Sequence, residues 1–179
     1  METEPIVAQL LQAAFPEANS MDPVAFYDGV GDLFQAVAFS FLFWPKFITF
    51  HDAVFIALNG DDERFIINRL TDRNGKMISR SRESSWQEAV DSFNWVEVAH
   101  LFIHWRGPQE YHVDAEDFLG EVLCQAWSAK LKKNFPERDF SVFLDEPEDS
   151  STSLTINIKQ VSPVLEDPPS WNRKLGIFE

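Results

Sequence analysis

The sequence predicts an α+β fold in which a mostly antiparallel sheet of about five strands packs against helices. Residues 47–81 read as short β-branched and aromatic runs separated by turn signals, and residues 139–161 repeat that pattern. The remaining segments carry apolar residues at helical spacing behind helix-capping signals. With 179 residues the chain suits one sizeable domain, so residues 1–161 are expected to form it and 162–179 a proline-rich arm.

Taken in order, Ile6, Val7, Leu10, Leu11 and Phe15 follow Glu4-Pro5 as a short amphipathic helix stopped by Pro16. Asp22-Pro23 pairs an acidic N-cap with proline at the first helical position. The helix it opens carries Phe26, Val30, Leu33, Phe34, Val37 and Phe41, and should end before Pro45. The pattern then changes. "FITFHDAVFIAL" (47–58) leads into the turn signal "NGDD", "RFIINRL" (64–70) into "TDRNG", and "KMISRS" (76–81) follows. These three runs predict a three-stranded antiparallel meander over 47–81.

Ser85 with Glu88 and Asn94 with Glu97 form two capping-box patterns, predicting helices over 86–93 and 95–105. Trp86, Ala89, Val90 and Phe93 point the opposite way from the apolar face of 95–105, so a break is expected near Asn94. Asp114 opens a long helix to Lys133 with Phe118, Leu119, Val122, Leu123, Ala126, Trp127 and Leu131 on one face. Strands 139–145 and 153–161 follow as a C-terminal hairpin, since Phe140, Val142, Leu144, Leu154, Ile156 and Ile158 alternate with polar residues. In the arm, Trp171, Leu175, Ile177 and Phe178 are the available anchors.

The candidate chemistry centres on "NWVEVAHLFIHWRGP" (94–108). On a strand His100 and His104 would stand roughly 13 Å apart; on a helix they would be neighbours about 6 Å apart with Glu97 one turn before. With helical phase, Glu97, His100 and His104 form one polar stripe on an otherwise apolar segment. Imidazoles and a carboxylate suit a divalent metal such as zinc, and His112 beyond the Gly107-Pro108 turn is a further candidate ligand. The competing account is a solvated stripe, because Glu97 also occupies a capping-box position. A second feature is a local basic excess. Arg69, Lys76, Arg80 and Arg82 are candidate binding groups for an anionic ligand or acidic partner, the last three sharing one strand face by parity. Against this, Asp61, Asp62, Glu63 and Asp72 lie close enough in sequence to pair with the basic residues.

A net charge of -14 disfavours nucleic acid, whose binding needs cations on the protein, and anionic membranes, while leaving basic partners open. The single cysteine, Cys124, permits neither an intrachain disulfide nor a cysteine zinc cluster and suits the cytoplasm; its place among core positions marks it as an apolar filler. The acidic start "METEPIVAQLL" lacks the basic residues of a secretory signal, and the longest apolar run, 36–44, falls short of the roughly 20 residues that span a bilayer. No phosphate-binding glycine loop and no Gly-x-Ser-x-Gly elbow occurs. Negative charge, 6 Trp and 17 Phe therefore favour a non-enzymatic interaction or regulatory protein, cofactor-free and cytoplasmic, binding another macromolecule such as a basic protein. The alternative is a metal-dependent, hydrolase-like enzyme using Glu97, His100 and His104.

Overall fold

The structure, a computed structural model, describes residues 31–58, 62–71, 83–102, 109–145 and 153–178, with isolated positions 9, 10, 12, 13 and 16. Its centre is a hairpin, β1 (Lys46–Phe50) and β2 (Ala53–Ala57), paired antiparallel from Lys46↔Ala57 to Phe50↔Ala53. The expected single strand over 47–58 is thus two strands. His51 and Asp52 form the connection with φ of 45° and 61°, and a two-residue loop with both residues left-handed matches the natural twist of paired strands. Histidine and aspartate tolerate that region better than most residues. The turn is clasped from several sides: the Trp86 indole N–H donates to the His51 carbonyl, and Arg138 and Gln160 donate to that of Asp52.

Strand alternation gives the hairpin two apolar faces, and both are covered. Ile48, Phe50, Ala53, Phe55 and Ala57 face a cluster built on Trp86, Val90, Trp171 and Phe178. Phe47, Val54 and Ile56 face another built on Val98, Leu123, Trp127, Leu131, Ile156 and Ile158. Every residue of β2 is buried, which is why its sequence reads as a continuous apolar run.

The first cluster is closed by helices and by the arm. The run 64–70, expected as a strand of the meander, lies in a helix, α2 (Asp62–Thr71). It buries Ile66 and Leu70, one turn apart, and starts on Asp62 and Glu63, where carboxylates suit the positive end of a helix dipole. The meander's third strand, 76–81, lies outside the described residues, so the meander gives way to a hairpin followed by a helix. Helix α3 (Trp86–Phe93) carries the expected capping box of Ser85 and Glu88 and buries Trp86, Ala89 and Val90. The arm forms a small antiparallel pair, β6 (Trp171–Asn172) and β7 (Ile177–Phe178), with Trp171, Ile177 and Phe178 buried as anchors. Trp86 meets Trp171 and Phe178 edge-to-face, with centroids 5.0 and 5.3 Å apart. Asp167 fixes the arm further, accepting from the Trp86 amide at 2.8 Å and from Arg173 Nε.

The second cluster lies between the hairpin and a three-stranded antiparallel sheet ordered β3-β5-β4: β3 (Trp95–Glu97), β5 (Thr155–Ser162) and β4 (Asp139–Asp145). Strands β4 and β5 pair as the expected C-terminal hairpin. Phe140, Val142, Leu144, Ile156 and Ile158 line its inner face. The long helix α5 (His112–Asn134) opens two residues before the expected Asp114 and packs there, burying Gly120, Leu123, Trp127 and Leu131. Gly120 marks the closest approach, since a Cβ there would lie 2.8 Å from Leu144 Cδ2. The antiparallel α+β class predicted from sequence therefore holds, but among the described residues the strands form sheets of two, three and two rather than one of about five.

The expected break at Asn94 is present; the expected helix after it is not. Residues Trp95–Glu97 form β3, paired with Thr155–Asn157, and only Val98–Leu101 turn helical (α4), with Phe102 already extended. The open edge of β5 offers Trp95 and Val96 a ladder to join, and that tertiary pairing overrides the local helix signal. Asn94 is not the cap of a following helix but the C-cap of α3. At 1% exposure, its side chain accepts from the Ile56 amide at 3.0 Å and donates to the Val54 carbonyl at 2.8 Å. Its own carbonyl accepts from the Ile158 amide. One asparagine thus stands where a neighbouring strand would, satisfying the outer edge of β2 and tying it to β5.

Candidate functional site

The residues singled out in the sequence are only partly brought together. Glu97, at the end of β3, lies 3.3 Å from His100 Nδ1 and accepts from the Ser153 hydroxyl at 2.8 Å. His100 is largely exposed. His112 pairs with a different carboxylate, Glu116, at 3.4 Å along α5. Of the helix predicted for 95–105, Val98–Leu101 is helical and Phe102 is extended; His104 lies outside the described residues. Among the described residues no group of three or more His, Cys, Asp or Glu side chains converges on one point. Of the basic candidates, Arg69 sits on α2 with its guanidinium 5.6 Å from the Phe93 ring and 6.0 Å from that of Phe65. Lys76, Arg80 and Arg82 lie outside the described residues. Cys124 is half-buried on α5, and burial, with the Glu121 charge adding to it, pushes its thiol up to about 11, which suits a filler rather than a nucleophile.

The feature that stands out is the segment expected from sequence as a helix carrying Leu33, Phe34, Val37 and Phe41 at helical spacing. Helix α1 (Leu33–Phe43, "LFQAVAFSFLF") is capped by Asp32, whose carboxylate accepts from the Phe34 amide at 2.8 Å. It ends before Pro45, as expected, and its cap Asp32 lies ten residues after the predicted cap Asp22, which is outside the described residues. No residue of α1 is fully buried. At about 100° per residue, Leu42, Phe39 and Phe43 share the face toward the protein. Leu42 and Phe43 pack against the second cluster, Phe39 meets Phe102 edge-to-face at 5.4 Å, and the Trp127 indole N–H donates to the Leu42 carbonyl at 2.8 Å.

The opposite face is apolar too. Leu33, Val37, Phe41 and Phe34, with Trp44 just beyond, fall within roughly 100° of one another. Leu33 is 82% exposed, Phe34 81%, Phe41 68% and Val37 53%. Not one of the eleven residues is charged. The stripe's ends differ: the Asp32 carboxylate stands at the N-terminal end, and at the C-terminal end Lys130 and Lys133 approach the Trp44 ring, their Nζ atoms 4.9 and 5.9 Å from its centroid. An aromatic side chain presents roughly 150–250 Å², so the stripe exposes on the order of 600 Å² of contiguous apolar surface, at the upper edge of what monomers carry. Sequence periodicity marks α1 as a helix because it asks where the apolar residues are. The missing signal was the absence of any polar face for water to wet.

No helix among the described residues is long and apolar enough to cross a membrane. No protein-family model matches the chain, and no curated protein or solved structure matches it.

Proposed function

We propose that this is a non-enzymatic, cytoplasmic interaction protein that works by binding another macromolecule, and that the exposed stripe of α1 is its docking face. One observation carries this: Leu33, Phe34, Val37 and Phe41 are exposed on a capped helix that, among the described residues, packs only through its other side. Contiguous exposed apolar surface of this size is characteristic of interaction sites. Aromatic side chains supply most of the binding energy at such surfaces. The net charge of -14 lies outside the eleven residues of α1, so contact at the stripe is apolar rather than ionic. A photo-crosslinking benzoylphenylalanine at Phe34, expressed in the source cell, should form a covalent adduct with a macromolecule, and the same group at exposed Ser141 on β4 should not. Equal labelling at both positions, or none at either, removes the docking face.

A second reading rests on the 3.3 Å contact of Glu97 and His100. A metal-dependent enzyme could use this pair as two ligands of a divalent ion such as zinc, with other ligands completing the set. The Ser153 hydroxyl already holds the carboxylate oxygen that faces His100, which gives the contact a structural role without metal. Elemental analysis of untagged protein decides: less than about 0.1 equivalent of any transition metal, and no rise in melting temperature on adding zinc, ends this reading.

A further inference from the structure

Building on the docking face proposed above, we infer that its occupant is a second copy of this chain, bound with the two α1 helices antiparallel across a two-fold axis near Val37 and Ala38. The chemistry of the stripe selects for such a partner. The eleven residues of α1 carry no charge, so two copies meet there without like-charge contact despite a net -14 on each. A basic partner, by contrast, finds no carboxylate along the stripe to pair with.

Orientation follows from the ends of the helix. Asp32 is negative at one end; Lys130 and Lys133, over Trp44, are positive at the other. Antiparallel packing brings each Asp32 to the partner's Lys130 and Lys133, twice per dimer, whereas parallel packing sets like against like. It also aligns the helix dipoles favourably. In an isologous contact of this kind, residues equidistant from the axis meet. Phe34 therefore packs on the partner's Phe41, and Val37 on its own counterpart, along a helix of about 16 Å. The area is sufficient as well: on the order of 600 Å² per copy gives about 1,200 Å² in total, the lower edge of specific interfaces.

The test is sedimentation equilibrium of the full, untagged chain over a wide concentration range. The mass is expected to rise with concentration from 20.6 kDa to twice that value. Phe34→Glu should hold it at one chain with unchanged circular dichroism, because Phe34 is exposed. Asp32→Ser keeps a capping oxygen but removes the charge, and should weaken the dimer roughly three- to tenfold, an effect that high salt erases. Orientation is read by disulfide trapping in a Cys124→Ala background. Val37→Cys should cross-link to itself, and Leu33→Cys should cross-link to Phe41→Cys rather than to its own counterpart. A single-chain mass at every concentration, or a doubled mass that Phe34→Glu leaves intact, overturns the inference. If the chain stays monomeric while the crosslinker at position 34 captures a different macromolecule, or neutral phosphatidylcholine vesicles bind it through Phe34, the second copy is excluded and the docking face stands. If nothing engages position 34, both fall.

Discussion

Residues 33–43 and 47–57 are near neighbours in the chain and almost equally apolar, nine residues of eleven against eight, yet they meet opposite fates. The hairpin is covered on both faces, by an aromatic cluster on one side and a largely aliphatic one on the other. Helix α1 is covered on one face and leaves the other in water. Apolar composition therefore does not say which segment becomes core. What separates them is whether other parts of the chain arrive to cover the second face. For the hairpin, α3 and the arm cover one side and α5 with the sheet the other; among the described residues α1 packs only toward α5 and Phe102.

The largest break in this comparison should come from within the hairpin. Phe55→Ala removes a fully buried ring that touches Trp86 and Phe93, and should cost about 3–5 kcal/mol in chemical denaturation. Next in size, Asn94→Ala strands the Ile56 amide and the Val54 carbonyl in a dry interior, and should cost about 2–5 kcal/mol. Denaturation followed by tryptophan fluorescence and by circular dichroism checks it; a loss below about 1 kcal/mol would mean that Asn94 does not tie β2 to β5.

Acid acts on the cover rather than on the hairpin. Burial raises the affinity of Asp167 for a proton, but the Trp86 amide, the Arg173 hydrogen bond and the Arg173 charge together outweigh it and hold the carboxyl below its ordinary value. A lowered carboxyl contributes stability that is complete above the unfolded value of about 3.9 and is lost as pH falls through the folded value. Wild-type melting temperature should therefore drop below about pH 4, with part of that drop absent in Asp167→Asn. Identical acid limbs would remove Asp167 as the arm's fastening. The smallest effect belongs to α1. Phe34→Ser in dilute protein should change stability by about 0.5 kcal/mol or less, since it takes a ring from water to water. A loss above about 2 kcal/mol would mean that this face is buried in the chain's own fold.

What was legible in the sequence was what local signals specify. The Ser85–Glu88 capping box, the apolar face of α5 and the alternation of β4 and β5 all act within a few residues of where they are read. The break at Asn94 came from a phase reversal between flanking segments and was equally local. The role of Asn94 was hidden because its side-chain partners lie 38 and 40 residues away. The helix drawn over 95–105 failed for the same reason, since its first three residues are claimed by Thr155–Asn157. The hairpin was missed at His51-Asp52 because neither residue is glycine, and the left-handed turn is held by Trp86, Arg138 and Gln160 from far along the chain. The candidate site was legible as an apolar helix but not as a surface, because burial is a property of what arrives from elsewhere.

The most direct measurement is hydroxyl-radical footprinting of individual phenylalanines as a function of protein concentration. Phe55 should be protected throughout, whereas Phe34 and Phe41 should react freely in dilute protein and become protected as concentration rises. Protection of Phe34 and Phe41 already complete at the lowest concentration, or absent at the highest, would contradict a face covered by a second copy.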